Sequence, residues 1–133
     1  MDISKHLLDE NAVQRGRPVK WIEDVVLYIA ADQNFTQRQC WRDTVATIKG
    51  KPTPAEDQEL SDKIIAQSVL VGWSGISMDG KELKYSVENA LFLLKSVSRF
   101  REFVNLASKT EELFIRDAVN EAVEALKKSS TGS

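Results

Sequence analysis

The chain has 133 residues, 42% of them hydrophobic, and 18 Lys and Arg against 20 Asp and Glu give a formal net charge of −2. That length holds one core but not two ordinary domains, and mixed charges near neutrality lack the electrostatic footprint of a nucleic-acid binder. The single cysteine, Cys40, excludes an intrachain disulfide; with no signal peptide and no apolar run near the roughly 20 residues that span a bilayer, a soluble protein of a reducing cytoplasm is expected.

Residues 1–18 are polar, with Ile3, Leu7, Leu8, Ala12 and Val13 alone available for packing, so they either form a short helix over 3–11 or fray. Residues 19–31, VKWIEDVVLYIAA, carry a β-branched run and also a helical stripe at Ile22, Val25, Val26 and Ile29. Helix is favoured here over a β-hairpin, and Pro18 suits either a helix start or an edge strand. Thr36 and Gln39 form a capping box ahead of a helix that buries Cys40, Trp41, Thr44, Val45 and Ile48 and ends near Lys49-Gly50. Beyond a linker over 50–54, Thr53 and Glu56 form a second capping box with Pro54 at the first helical position. The helix that follows runs toward Val71 on Leu60, Ile64, Ile65 and Ala66, although its last stretch, SVLVGW, also suits an extended segment.

Residues 69–94, VLVGWSGISMDGKELKYSVENALFLL, are the most informative window. Gly72 and Gly75 flank Trp73 and Ser74, and both are expected to take positive φ where the preceding helix ends. The indole of Trp73 is expected to anchor the loop, with Ile76 and Tyr85 helping to position it. Asp79-Gly80 marks a tight turn. Ser86 is a helix N-cap with Glu88 in the first turn, and Val87, Ala90, Leu91, Leu94 and Val97 give the helix one buried face. Phe100, Phe103, Val104 and Ala107 continue that period, either in one helix with a bend near residues 96–98, which is favoured, or as a second helix. Thr110 then caps a final helix, with Glu111 and Glu112 at its start and Lys127-Lys128 at its end. Its stripe of Ile115, Val119, Ala122 and Leu126 is widened by Phe114, Ala118 and Ala125, which leaves either a deeply buried helix or a second surface for another chain. The fold class is therefore mainly α: a small single-domain helical fold of about five helices over 1–128, with a turn-rich loop at 72–85, a short N-terminal β-hairpin as the alternative to helix at 19–31, and a disordered tail at 129–133.

Catalytic chemistry finds few residues to work with. His6 is the only histidine and lies in the weakly structured N-terminal stretch, whereas Cys40 lies on the apolar side of a helix as a small hydrophobe, so no Cys/His nucleophilic pair and no tetrahedral metal site assembles. The Glu56-Asp57-Gln58-Glu59 run serves a helix start, and glycines 72, 75 and 80 lack the Gly-Lys-Ser or Gly-Lys-Thr triplet of a phosphate loop. No cofactor is expected. Arg15, Arg17, Lys20, Arg38 and Arg42 with Trp21 and Trp41 form a basic, aromatic cluster that a DNA-binding protein would use, but Arg38 and Arg42 are also an ordinary exposed pair on a solvated helix.

The joint pattern Gly72-Trp73-Ser74-Gly75-Ile76, Asp79-Gly80, Leu83, Tyr85-Ser86, Glu88-Asn89-Ala90 and Leu93-Leu94 resembles the tail assembly chaperones of long-tailed, lambda-like bacteriophages. The resemblance covers about a fifth of the chain, and none of its residues is catalytic. It implies a non-catalytic protein of the host cytoplasm that self-associates, binds and solubilises the tape-measure protein, recruits tail-tube subunits, and is absent from the mature virion. It also implies a longer product made by ribosomal slippage, for which Lys127-Lys128 suits an A-rich site. No nucleic-acid or membrane partner is implied. A holding chaperone needs apolar grooves for amphipathic helices, and the candidate partner or self-association residues are Phe100, Phe103, Phe114, Ile115, Val119 and Leu126. Aromatics at helical spacing more often build a core, which is the competing reading. The other class of function open to such a chain is a structural tail completion or connector protein that stays in the virion.

Overall fold

Residues 19–31 form a hairpin rather than the helix favoured from sequence, and the rest of the chain is arranged around it. In this computed structural model, which describes residues 2–116, β1 (Arg17–Lys20) pairs antiparallel with β2 (Val26–Ile29), and β2 with β3 (Leu70–Ser74), in the order β1-β2-β3. The register sets Val19 against Leu27 and Leu27 against Trp73, with a bulge between Tyr28 and Ile29. Burial in β2 has the period of a strand: Leu27 and Ile29 are sealed inside while Tyr28 points outward. The helical stripe fails at Ile22, which is exposed beside Glu23 at the hairpin tip. Pro18, which has no amide to donate, sits on an edge strand opposite Tyr28.

Five α-helices accompany this sheet among the described residues, so the fold is helix-rich but mixed α/β rather than all-α. The expected helix over 3–11 is replaced by a 3-10 turn (Ile3–His6) and the short α1 (Glu10–Arg15), capped by Asp9. α2 (Phe35–Thr47) is capped by Asn34, two residues ahead of the expected Thr36. The Asn34 side chain accepts from the Gln37 amide at 2.9 Å and donates to the carbonyls of Ala31 at 2.8 Å and Ser68 at 2.9 Å. α3 (Pro54–Ser68) is capped by the expected Thr53 and Glu56 pair: the Glu56 amide donates to Thr53 Oγ1 at 3.2 Å, and Glu56 Oε1 accepts at 2.9 Å from that hydroxyl rather than from the Thr53 amide of a full capping box.

α3 stops at Ser68, short of Val71, and the chain continues as β3, where Leu70 and Trp73 are buried against β2. Gly72 accordingly lies inside β3 under the Tyr28 ring, without the positive φ expected of it. α4 (Val87–Ser96) is capped by Ser86, whose hydroxyl accepts from the Asn89 amide at 3.0 Å. α5 (Ser98–Ser108) is a separate helix rather than the continuation of α4 through a bend, because Val97 is extended between them.

The core lies between the inner sheet face and α3, α4 and α5, around Leu27, Ile29, Leu70, Leu94, Phe100 and Val104. α5 is also tied to α3 by Arg101, whose Nη2 donates at 2.8 Å to the buried carboxylate of Asp62, while Gln58 donates to the other oxygen at 3.1 Å. The final helix does not begin at Thr110. That hydroxyl turns back to the Leu106 carbonyl at 2.7 Å, residues Glu111–Phe114 make a 3-10 turn, and Ile115 bridges to Leu8. Val119, Leu126, the rest of the expected final helix and the 129–133 tail lie outside the described residues.

Candidate interaction surface

The informative window builds a rigid aromatic knot. Trp73, paired with the buried Leu27 and kept on the same face as Leu70 by the bulge in this strand pair, donates its indole N–H to the Leu83 carbonyl at 2.7 Å and stacks edge-on against Tyr85 at 5.2 Å. The Tyr85 hydroxyl donates to the Leu70 carbonyl at 2.9 Å, so both ends of the loop are fastened to the α3–β3 junction. Burial pushes the Tyr85 phenol above its ordinary value. Trp21 and Trp73 both meet Phe100 edge-on, at 5.5 and 6.2 Å, which extends the knot into the core.

Between Trp73 and Tyr85 the chain folds into the two-stranded β4 (Ser77–Met78) and β5 (Lys81–Glu82). Asp79 and Gly80, at φ 53° and 80°, form the two-residue turn between them. Gly75 has φ 85°, and a Cβ there would lie 2.6 Å from the Asp24 carbonyl oxygen, so only glycine lets the loop pass the first hairpin. Ile76 packs partly against the core beneath the loop. Gly72, Trp73, Gly75, Ile76, Asp79, Gly80, Tyr85 and Ser86 therefore hold a loop in place, and Met78 stands exposed near its tip.

The aromatic partner candidates are placed differently. Phe100 and Phe114 are 1% and 2% exposed and belong to the interior. Phe103 is half-buried against Trp21 at 6.2 Å, and Ile115 is half-buried in its bridge to Leu8. The reason is architectural: one face of the sheet needs cover, and the apolar stripes of α4 and α5 supply it. The basic, aromatic cluster does not assemble either, because Trp21 is spent on Phe100 and Phe103, and Arg17 is buried.

The exposed apolar side chains lie elsewhere. Leu106 on α5 is 69% exposed, Phe35 and Val45 on α2 are 60% and 59% exposed, and Phe92 on α4 is also open. Phe35, Arg38, Arg42 and Val45 follow helical spacing and share the outward side of α2. The opposite side presents Gln37 and Trp41 to a crevice of about 200 Å³ against Ser61, Ile64 and Ile65. Val45 therefore leaves the buried stripe assigned to it from sequence. Had the helix start been read at Asn34, the 35, 38, 42, 45 row would have been legible as one face.

Residues 29–127 match a family model described as YdaY prophage protein, a span that runs from β2 past the last described residue and leaves out residues 1–28. No curated protein and no solved structure matches the chain. No helix among the described residues is long and apolar enough to cross a membrane.

Proposed function

With most of its length matched, the chain belongs to the YdaY prophage protein family and is phage-derived, and from that premise we propose that it is a non-catalytic tail assembly chaperone. In this reading it self-associates in the host cytoplasm, binds the tape-measure protein and keeps it soluble, helps recruit tail-tube subunits, and departs before the virion is complete. A longer product made by slippage near Lys127-Lys128 belongs to the same reading.

The observation that carries the proposal is the outward placement of Phe35, Val45 and Leu106. A holding chaperone needs apolar ground that accepts amphipathic helices of varied sequence, and Phe35 and Val45 on one side of α2, with Leu106 on α5, are the exposed apolar side chains from which such ground would be built. Phage origin and the resemblance of residues 72–94 to tail assembly chaperones support the same reading.

Co-expression with the tape-measure protein of the same prophage, followed by size-exclusion chromatography with light scattering, tests it. A soluble complex holding several copies of this chain is expected; a tape-measure protein that precipitates as it does alone overturns the reading. Mass spectrometry of purified virions separates it from a tail connector, since a chaperone is missing from the particle and a connector is present.

A further inference from the structure

α2 carries one side that the fold does not use. Phe35, Arg38, Arg42 and Val45 share it, and all four are exposed. At a helical rise of about 1.5 Å per residue the two apolar side chains stand about 15 Å apart, with the two arginines one turn from each other between them. No ion pair reaches Arg38 or Arg42 among the described residues. Asp43, the only acid over residues 35–51, directly follows Arg42 and so is turned about 100° around the helix from it. Lys49 and Lys51 are exposed just beyond the helix, which makes this stretch basic in a chain whose formal net charge is −2.

The row is also held in place before anything binds. Gln14 Oε1 accepts from the Phe35 amide at 3.0 Å, and Asn34 ties the same turn to Ala31 and Ser68. On the other side of the helix, Gln37 and Trp41 face the crevice against α3. A surface fixed in advance loses little freedom on docking.

The order of these four side chains restricts what fits them. A second copy paired through α2 would set Arg38 and Arg42 against the same two arginines in either direction, and like charges across an interface repel. A nucleic-acid backbone would pair with the arginines but makes no use of Phe35 and Val45 at the ends of the row. An amphipathic helix with carboxylates between two apolar side chains satisfies all four, since each guanidinium gains a charge-assisted bond and each apolar end is covered.

We propose that the outward side of α2 is a client-binding surface that selects acidic amphipathic helices, those with Asp or Glu placed between two apolar anchors on one face. This rests on the chaperone reading, which it deepens by giving the bound helix its charge. It also assigns self-association to a different face, because the α2 row repels its own copy.

Two synthetic helical peptides of about five turns test it. Each has a leucine near both ends of one face; one carries glutamates between the leucines and the other lysines. In fluorescence anisotropy with the full chain at low ionic strength, the glutamate peptide should bind roughly tenfold more tightly or better, an advantage that added salt reduces. Arg38→Glu with Arg42→Glu should reverse the preference. Phe35→Ser with Val45→Ser should weaken the glutamate peptide several-fold without reversing it, and circular dichroism should be unchanged in both variants. The comparison of the two peptides on the unmodified chain needs no variant, and equal binding or no binding there overturns the proposal. A preference that survives the arginine reversal overturns it as well. Duplex DNA that binds more tightly than the glutamate peptide overturns it in favour of a nucleic-acid partner, and an altered oligomeric mass of the arginine-reversed chain in light scattering does so in favour of a second copy. Because the assay contains no tape-measure protein, its failure leaves the co-expression result untouched, and a tape-measure protein that precipitates leaves the charge preference standing.

Discussion

α2 and α5 are similar in length but are held in opposite ways. α5 buries Phe100, Val104, Ala107 and Ser108, whereas the only buried residue of α2 is Gln37. Apolar packing therefore holds α5. α2 is fixed at its start by polar bonds: Asn34 to Ala31 and Ser68, Gln33 N to Gln37 Oε1 at 2.6 Å, Gln37 Nε2 to Asp32 at 3.0 Å, and Phe35 N to Gln14 Oε1 at 3.0 Å. Bonds at one end set where a helix lies without using its far side, so α2 can be positioned firmly while Phe35 and Val45 stay outside. The contrast separates residues that keep the fold from residues open to a partner.

The largest effect should come from the α5 side. Phe100→Ala empties the place where Trp21 and Trp73 converge, and a loss of about 3–5 kcal/mol is expected in urea or thermal unfolding. A much smaller loss would mean that the aromatic knot does not hold the core. On the α2 side, Asn34→Ala removes a cap and strands the Ser68 carbonyl, which should cost about 1–2 kcal/mol. Its mark should be faster amide exchange concentrated in α2; uniform loss across the molecule would show that α2 is as integral as α5.

Trp73→Phe keeps an aromatic ring but removes the donor to the Leu83 carbonyl and leaves part of the indole's buried space unfilled, and at least about 1 kcal/mol should be lost, read as a lower urea midpoint with unchanged circular dichroism. Alkaline pH probes the same knot. Because burial raises the Tyr85 phenol above its ordinary 10.0, the folded state holds this proton more tightly than the unfolded chain does. The contribution is complete below the ordinary value and is lost as pH rises through the folded one. Stability should therefore fall more steeply above pH 10.0 than in Tyr85→Phe, and parallel profiles would count against a buried phenol.

The smallest change in stability should follow from Phe35→Ser together with Val45→Ser, within about 0.5 kcal/mol for each exposed site. This pair should nonetheless reduce recovery of soluble tape-measure protein on co-expression. Intact recovery would move the partner surface off α2.

Legibility in the sequence followed the range of the interaction. Ser86, the Thr53 and Glu56 pair and the Asp79-Gly80 turn were readable because each is settled within a few residues. Phe35 was missed because the Asn34 cap also answers to Ala31 and Ser68, the latter on another helix. Arg17 looked like part of a basic surface, and nothing near it in sequence announces a bond to Leu113, 96 residues away. The aromatic residues of 100–114 had a readable spacing, but spacing says that a face is apolar without saying what covers it.

The sequence by itself determined the caps of α3 and α4, the Asp79-Gly80 turn, the glycine at 75 and the apolar faces of α3, α4 and α5, since local sterics and the bonding needs of helix ends allow few alternatives. Only the tertiary structure decided that residues 19–31 are a hairpin, that Gly72 lies in a strand, that residues 110–116 turn back onto Leu7 and Leu8, and that Phe100 and Phe114 are interior. A short apolar run satisfies helix and strand periods alike, and the tie is broken by partners distant in the chain. β2 is a strand because β1 and β3 flank it, and Ile115 leaves the helical path because Leu8 and Arg17 are there to receive it.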